Sequence, residues 1–313
     1  MLIYIRNRLL SLVIVLAGVS ILSFILANIA TVDPAEAFAR RSLLNPTPAQ
    51  IEEIREMMGL NLPVYQQYFH WLGGAVKGDL GISLLTRNPV SADIAQKMPA
   101  TLSIVGLALL WIVIITLPLS ILSAISKDSF FDHALRMVTI LGLSMPNFWL
   151  GFILLVILAV MLPIFSVADY GNLKSLILPS FTLAIPMACS SIRLLRATIL
   201  ANMNMDFVTY AKARGISKTN IIWSHVLKNS LPPMITVFCQ YLGYMIAGSA
   251  IVEIVFSWPG IGSHLVHAII GRDLPTINGC VLVIAVIFVF CNLLADVLNG
   301  WLNPKMLTEK GEF

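Results

Sequence analysis

Charge is what this sequence has least of. Asp, Glu, Lys and Arg make up 12% of its 313 residues, against 58% hydrophobic; an ordinary soluble domain carries about 25% charged and 45–50% apolar residues. So little polar material cannot cover a compact globule in water, which sets aside a soluble enzyme, a disordered tail and a nucleic-acid-binding module. Cysteine is scarce too. The four present (Cys189, Cys239, Cys280, Cys291) show no C-x-x-C spacing and lie in apolar runs, so they read as small buried hydrophobes. Several catalytic signatures are missing from the chain: no G-x-x-x-x-G-K-[ST] phosphate loop, no G-x-S-x-G, no H-E-x-x-H. Without the phosphate loop, this chain should not hydrolyse ATP itself. Gly260-Ile-Gly262 lacks the third glycine of a dinucleotide site, and His264 with His267 alone make a poor metal site.

What the chain has instead is long apolar runs. A helix needs about 20 mainly apolar residues to cross the hydrocarbon core. Six stretches qualify: roughly Leu9–Ala30, Ala100–Ser126, Ala134–Leu162, Ser175–Leu200, Leu231–Phe256 and Ile277–Leu302. Pro179 and Pro186 interrupt the fourth, which reads as a kinked helix enclosed by neighbours. The third is broken by Ser144, Pro146 and Asn147. The first exceeds the usual 7–15-residue apolar run of a signal peptide and is expected to stay. An even number of spans puts both termini on one side. Basic residues crowd the segments on that side (Arg6, Arg8, Lys127, Arg136, Arg193, Arg196, Lys212, Arg214, Lys218, Lys228, Lys305, Lys310), which makes it the cytoplasmic one. The expected fold is an all-α membrane protein of six transmembrane helices, in one transmembrane domain over residues 1–313.

Two connecting segments are too rich for plain loops. In the outer segment 31–99, Thr47-Pro48-Ala49-Gln50 carries a Thr cap, Pro at the first helical position and Gln where a capping box needs it. Ile51, Ile54 and Met58 then share a face, and Gly59 can end the helix in the left-handed conformation. The aromatic stretch Val64–Val76 fits a short helix on the outer leaflet or a lid packed over the bundle. In the inner segment 202–230, Asp206–Arg214 reads as a helix ended by Gly215. Ser217 caps the next, Ile216 and Ile221 are placed to form a hydrophobic staple, and Pro232-Pro233 opens the fifth span. An exposed helix–Gly–helix element with apolar residues should bind a partner, or lie as an amphipathic hairpin on the inner leaflet.

Ionisable groups inside the membrane are costly, so Glu253 and Asp296 are functional candidates, with an interhelical pair or backbone cap as the structural alternative. Ser144, Asn147, Ser190 and Ser191 beside the kinks are candidates for lining a path, or for helix packing.

The sequence also resembles a known family. Pro46–Ser103 (PTPAQIEEIREMMGLNLPVYQQYFHWLGGAVKGDLGISLLTRNPVSADIAQKMPATLS) resembles the permease subunits of the dipeptide/oligopeptide/nickel group of ABC importers. The resemblance continues through Ala211-Lys-Ala-Arg-Gly215, His225–Pro232 (HVLKNSLP), Glu253–Gly262 (EIVFSWPGIG) and Arg272-Asp-Leu-Pro275, over almost the whole chain. It implies the type I permease fold. The inner segment then corresponds to the family's EAA loop, which docks on an ATPase subunit, with Ala211, Ala213, Arg214, Gly215, Ile221, Ile222, His225 and Leu227 as its coupling residues. Ser144, Asn147, Ser190, Ser191 and Glu253 become candidates for the substrate path or gate. The implied partners are a second similar permease, two ATPase subunits that carry ATP–Mg, an extracytoplasmic binding protein and the lipid bilayer, with no nucleic acid and no cofactor on this chain. Thr209-Tyr210 replaces the loop's leading Glu-Ala, Val32 stands where a Gly commonly precedes Asp33-Pro34, and Asn303-Pro304-Lys305 replaces a common Asp-Pro-Arg. Leu141–Gly151 (LGLSMPNFWLG) looks like nickel-type permeases, so both nickel or metal chelates and di- or oligopeptides are candidate cargo. An ion-coupled secondary transporter is the rival; it would need buried charge pairs or inverted repeats, and the sequence displays neither.

Overall fold

The computed structural model describes residues 2–29, 33–167 and 170–302. Val32 and Asn303–Lys305, where the sequence departs from the family pattern, lie outside the described residues, as does Lys310. Among the described residues the fold is helical, with one isolated antiparallel bridge, Ile82 to Pro89. In chain order the helices are α1 (Leu2–Ile29), α2 (Pro34–Ser42), α3 (Pro48–Met57), α4 (Val64–Ala75), α5 (Val90–Ile125), α6 (Phe130–Ser144), α7 (Asn147–Leu155), α8 (Leu173–Met203), α9 (Asp206–Ala213), α10 (Lys218–Ile221), α11 (Leu227–Val255), α12 (Ile261–Gly271) and α13 (Leu274–Leu302).

Among the described residues four helices are long and apolar enough to cross a membrane: α5, α8, the run Thr219–Val255 that ends in α11, and α13. The third expected span is not one rod. α6 and the run from Asn147 to Met161 meet at a 104° bend, and the cause is local. Met145 precedes a proline, which pushes it out of the helical region (ψ 126°), and Pro146 then serves as the N-cap of α7. Counting the bent pair as one gives five, against six expected. α1 is a single helix of 28 residues, and Leu10–Leu26 is the apolar stretch among its described residues. A second expectation also shifts: Pro232 and Pro233 lie inside α11 rather than opening it. The helix is fed by a π-helical turn, Ile222–Val226, so the inner segment runs on into the span without a break.

The described residues divide into two compact units, one from Leu102–Trp258 with 290–302, the other from Leu2–Thr101 with Pro259–Val289. In the first, α6, α7 and α11 pack on α8. Gly142 sits so close to α8 that a Cβ there would lie 2.5 Å from Cys189 Sγ. Small residues permit this kind of approach in a lipid-embedded bundle. Pro179 and Pro186 are both carried inside α8, as expected, with the Ser180 and Thr182 hydroxyls donating to carbonyls of the same helix. At the bundle's other end Ile121, Leu195, Ile199, Val208, Ile221, Ile222, Val226 and Met234 form one buried cluster.

In the second unit the expected capping box is present: Thr47 Oγ1 accepts from Gln50 N at 3.3 Å, and Gln50 Oε1 from Thr47 N at 2.9 Å. Gly59 follows at φ +69°. The loop before α5 is pinned by Asp273, a fully buried carboxylate. It accepts from Ser83 Oγ at 2.5 Å, Thr276 Oγ1 at 2.8 Å and, more weakly, the Leu85 and Thr276 backbone N–H groups. Asp273 thus caps α13 and holds the loop together, immediately after Arg272 has turned the chain at φ +56°. The Arg272–Pro275 motif is a folding device.

Candidate functional site

The inner segment is built by two end signals in series. α9 stops at Gly215 (φ +75°), whose N–H donates to Lys212 O at 2.9 Å, while Ile216 N–H reaches back to Ala211 O at 3.2 Å. This is the paired 5→2 and 6→1 closure of a helix C-terminus that requires a left-handed residue. Ser217 then starts the next turn, its carbonyl accepting from Ile221 N at 3.0 Å and its hydroxyl weakly from Asn220 N at 3.4 Å.

The side chains sort by direction. Ala211, Ile221, Ile222 and Leu227 are buried in the cluster shared with α5 and α8, Ile216 packs on it and His225 is half-buried. These residues hold the element to its own bundle, with Ile221, Ile222 and Leu227 turned inward. Burial of their apolar surface, worth about 25 cal/mol per Å², is already satisfied within the chain. The outward surface is a different set: Tyr210 (76% exposed), Lys212, Ala213, Arg214, Gly215 and Trp223 (57% exposed). Ala213, Arg214 and Gly215 belong to both the expected and the exposed sets.

Beneath this platform lies a buried ion pair that the sequence reading missed. Arg196 of α8 grips Asp132 of α6 by donating from Nε and Nη2, at 2.7 and 2.6 Å, and Ser123 of α5 donates to the same carboxylate at 2.5 Å. Asp128 N adds a fourth donor at 3.0 Å. Asp132 has no solvent exposure. Ser123 and Arg196 are chain neighbours of Ala124 and Leu195, which line the platform cluster. No local signal relates residues 64 positions apart. The Ser129 cap on Asp132 N was the part a sequence could show. A buried charge pair was named above as a mark of a secondary transporter. This one sits in the first turn of α6 with every partner fixed by packing, as a structural clamp joining three helices.

The candidate path residues do not form one constellation. Ser144 is exposed at the 104° break, its hydroxyl turned to Ile140 O of its own helix, and Asn147 opens α7 just beyond. Ser191 is buried and donates to Tyr241 Oη at 3.3 Å; Ser190 is half-buried. Glu253 is wholly enclosed and accepts from Ser249 Oγ at 2.8 Å, while its carbonyl takes the Trp258 N–H at 2.7 Å. It therefore organises the turn after α11 from inside. Asp296 is half-buried on α13. His267 Nδ1 pairs with Ser263 O, and among the described residues no three His, Cys, Asp or Glu side chains converge as a metal site.

The described residues thus form a helical bundle of apolar spans that carries an outward aromatic and basic surface on its inner segment. The chain belongs to the binding-protein-dependent transport system inner membrane components: that family matches residues 116–308, and the N-terminal region of such membrane components matches residues 1–105. It is 34% identical to the glutathione transport system permease protein GsiC of Escherichia coli O6:H1 over 307 residues, covering 98% of this chain and 99% of that one. It is also 34% identical to the oligopeptide transport system permease protein AppB of Bacillus subtilis over 316 residues, covering 97% and 98%. It is a permease subunit of an ABC importer in the cell membrane, a transport component rather than an enzyme.

Proposed function

We propose that this permease pairs with a second, similar one to enclose a path for short peptides, taken from an extracytoplasmic binding protein and driven by two ATPase subunits. The observation that carries the coupling role is the division of the 206–228 element. Its apolar residues are consumed in anchoring it, leaving Tyr210, Lys212, Ala213, Arg214 and Trp223 outward on a fixed base. Aromatic and Arg side chains on a rigid support are the composition of interface anchors. In this reading both termini and this element face the cytoplasm and segment 31–99 faces outward. Peptide cargo, tripeptides included, is favoured because two relatives matched nearly end to end are named for glutathione and oligopeptide transport. The nickel-like stretch Leu141–Gly151 straddles the α6–α7 bend and makes a metal chelate the second cargo reading.

The test is uptake by the complete importer in proteoliposomes. Transport of a labelled short peptide should require ATP and be competed by unlabelled peptides and glutathione, but not by a nickel chelate. Competition by the nickel chelate alone would reverse the cargo assignment.

A further inference from the structure

The helix α4 has three faces where a lid over a bundle would need two. Tyr68, Trp71, Leu72 and Ala75 are half-buried and form the packing side. Tyr65, Phe69 and Val76 lie along a second stripe at helical spacing and are all exposed, Phe69 by 65% and Tyr65 by 62%. Gln66 and His70 form a third, polar stripe on the far side of the apolar one. Exposed apolar side chains between a protein-facing and a polar face are the pattern of an interfacial helix flanking a protein.

The packing contacts give its depth. The Tyr68 hydroxyl meets Ser20 Oγ of α1 at 2.8 Å, and the Tyr68 and Trp71 rings lie 5.5 and 6.1 Å from that of Phe24. Phe24 and Ser20 stand five and nine residues before the end of α1 at Ile29, or about 8 and 13 Å along the helix. A bilayer leaflet's hydrocarbon is about 15 Å deep. With α1 as the first span, these contacts hold α4 beside the membrane rather than above it. On α1 itself Ile21, Leu22, Ile25 and Leu26 are exposed as well.

We propose that α4 is a lipid-binding helix, seated in the interface of the leaflet on the 31–99 side with Tyr65 and Phe69 among the acyl chains and Gln66 and His70 at the headgroups. It is the membrane rest of the outer segment. The proposal relies on the span order adopted under the proposed function.

The test is nitroxide accessibility in the complete importer reconstituted into liposomes. Single cysteines replace Tyr65, Phe69, Gln66 or His70, all surface positions. The native thiols are buried or half-buried, and spin-labelled wild type supplies the blank. Labels at Tyr65→Cys and Phe69→Cys should collide with oxygen, which partitions into lipid, several-fold more than with a water-soluble paramagnetic chelate. At Gln66→Cys and His70→Cys the ratio should invert. Chelate-dominated collisions at all four positions would overturn the proposal in favour of a solvated lid. Exclusion of both reagents at Tyr65 and Phe69 would overturn it in favour of a covering protein. Either result would leave peptide uptake, and the reading based on it, unaffected.

Discussion

The Asp132 side chain has no solvent exposure, so its charge is compensated mainly by the groups packed on it. Removing one partner of a buried pair costs about 3–5 kcal/mol where nothing else compensates the other; here Arg136 Nε, 3.9 Å from Asp132 Oδ2, offsets part of that cost. Arg196→Met should therefore lower the thermal stability of the detergent-solubilised importer sharply, and Asp132→Asn in the same chain should recover much of the loss. The neighbouring pair Lys127–Asp128, 3.9 Å apart with both side chains mostly exposed, gives the contrast. Lys127→Ala should leave the melting temperature within error, because exposed pairs contribute about 0–1 kcal/mol. Gly142 makes the same point by volume. A Cβ there meets Cys189 Sγ at 2.5 Å, so Gly142→Ala should destabilise, and Cys189→Ala in the same chain should restore stability. A melting temperature unchanged in Gly142→Ala would show that the Cys189 thiol turns aside at little cost.

The inner element separates what local chemistry dictates from what packing decides. Gly215 was legible as a helix stop because the closing hydrogen bonds require positive φ, and the structure has it at +75°. Nothing lies within 4 Å of a Cβ built there, so any substitution is penalised by backbone conformation alone. For ordinary residues the left-handed region costs about 1–2 kcal/mol, with Asn tolerated best and β-branched residues worst. ATPase retention in pull-downs should then rank Gly215→Asn above Gly215→Ala above Gly215→Val. Equal loss in all three would mean that the glycine is needed for close contact with the partner. The Thr47–Gln50 box was legible for the same reason as Gly215: its partners lie three residues apart. The direction of Ile221, Ile222 and Leu227 was not. A helical stripe shows that an apolar face is covered, and never whether its own bundle or another protein covers it. Pro232-Pro233 misled as a helix start, since the helix that begins upstream of them runs through both.

For the whole molecule, hydropathy located the apolar runs but not their path. The Ser144–Asn147 break was visible as residues, yet the 104° turn follows from Met145 and Pro146 taking extended and capping conformations. The topology is open to a direct check. Leu44 is fully exposed in the 31–99 segment and Ser217 is exposed in the inner one, so an impermeant thiol reagent should reach Leu44→Cys and Ser217→Cys from opposite faces. Ser83 would be a blind probe because it is buried under Asp273. The central claim is that this permease meets its ATPase through the outward side of the 206–228 element while the inward side holds that element to the bundle. Site-specific photo-crosslinking in the assembled importer tests it most directly, with the crosslinker placed at Ala213, at Trp223 or at the buried Val226. Capture of an ATPase subunit from Ala213 and Trp223, but not from Val226, is the predicted result; capture from Val226 alone, or of lipid only from Ala213 and Trp223, would contradict it.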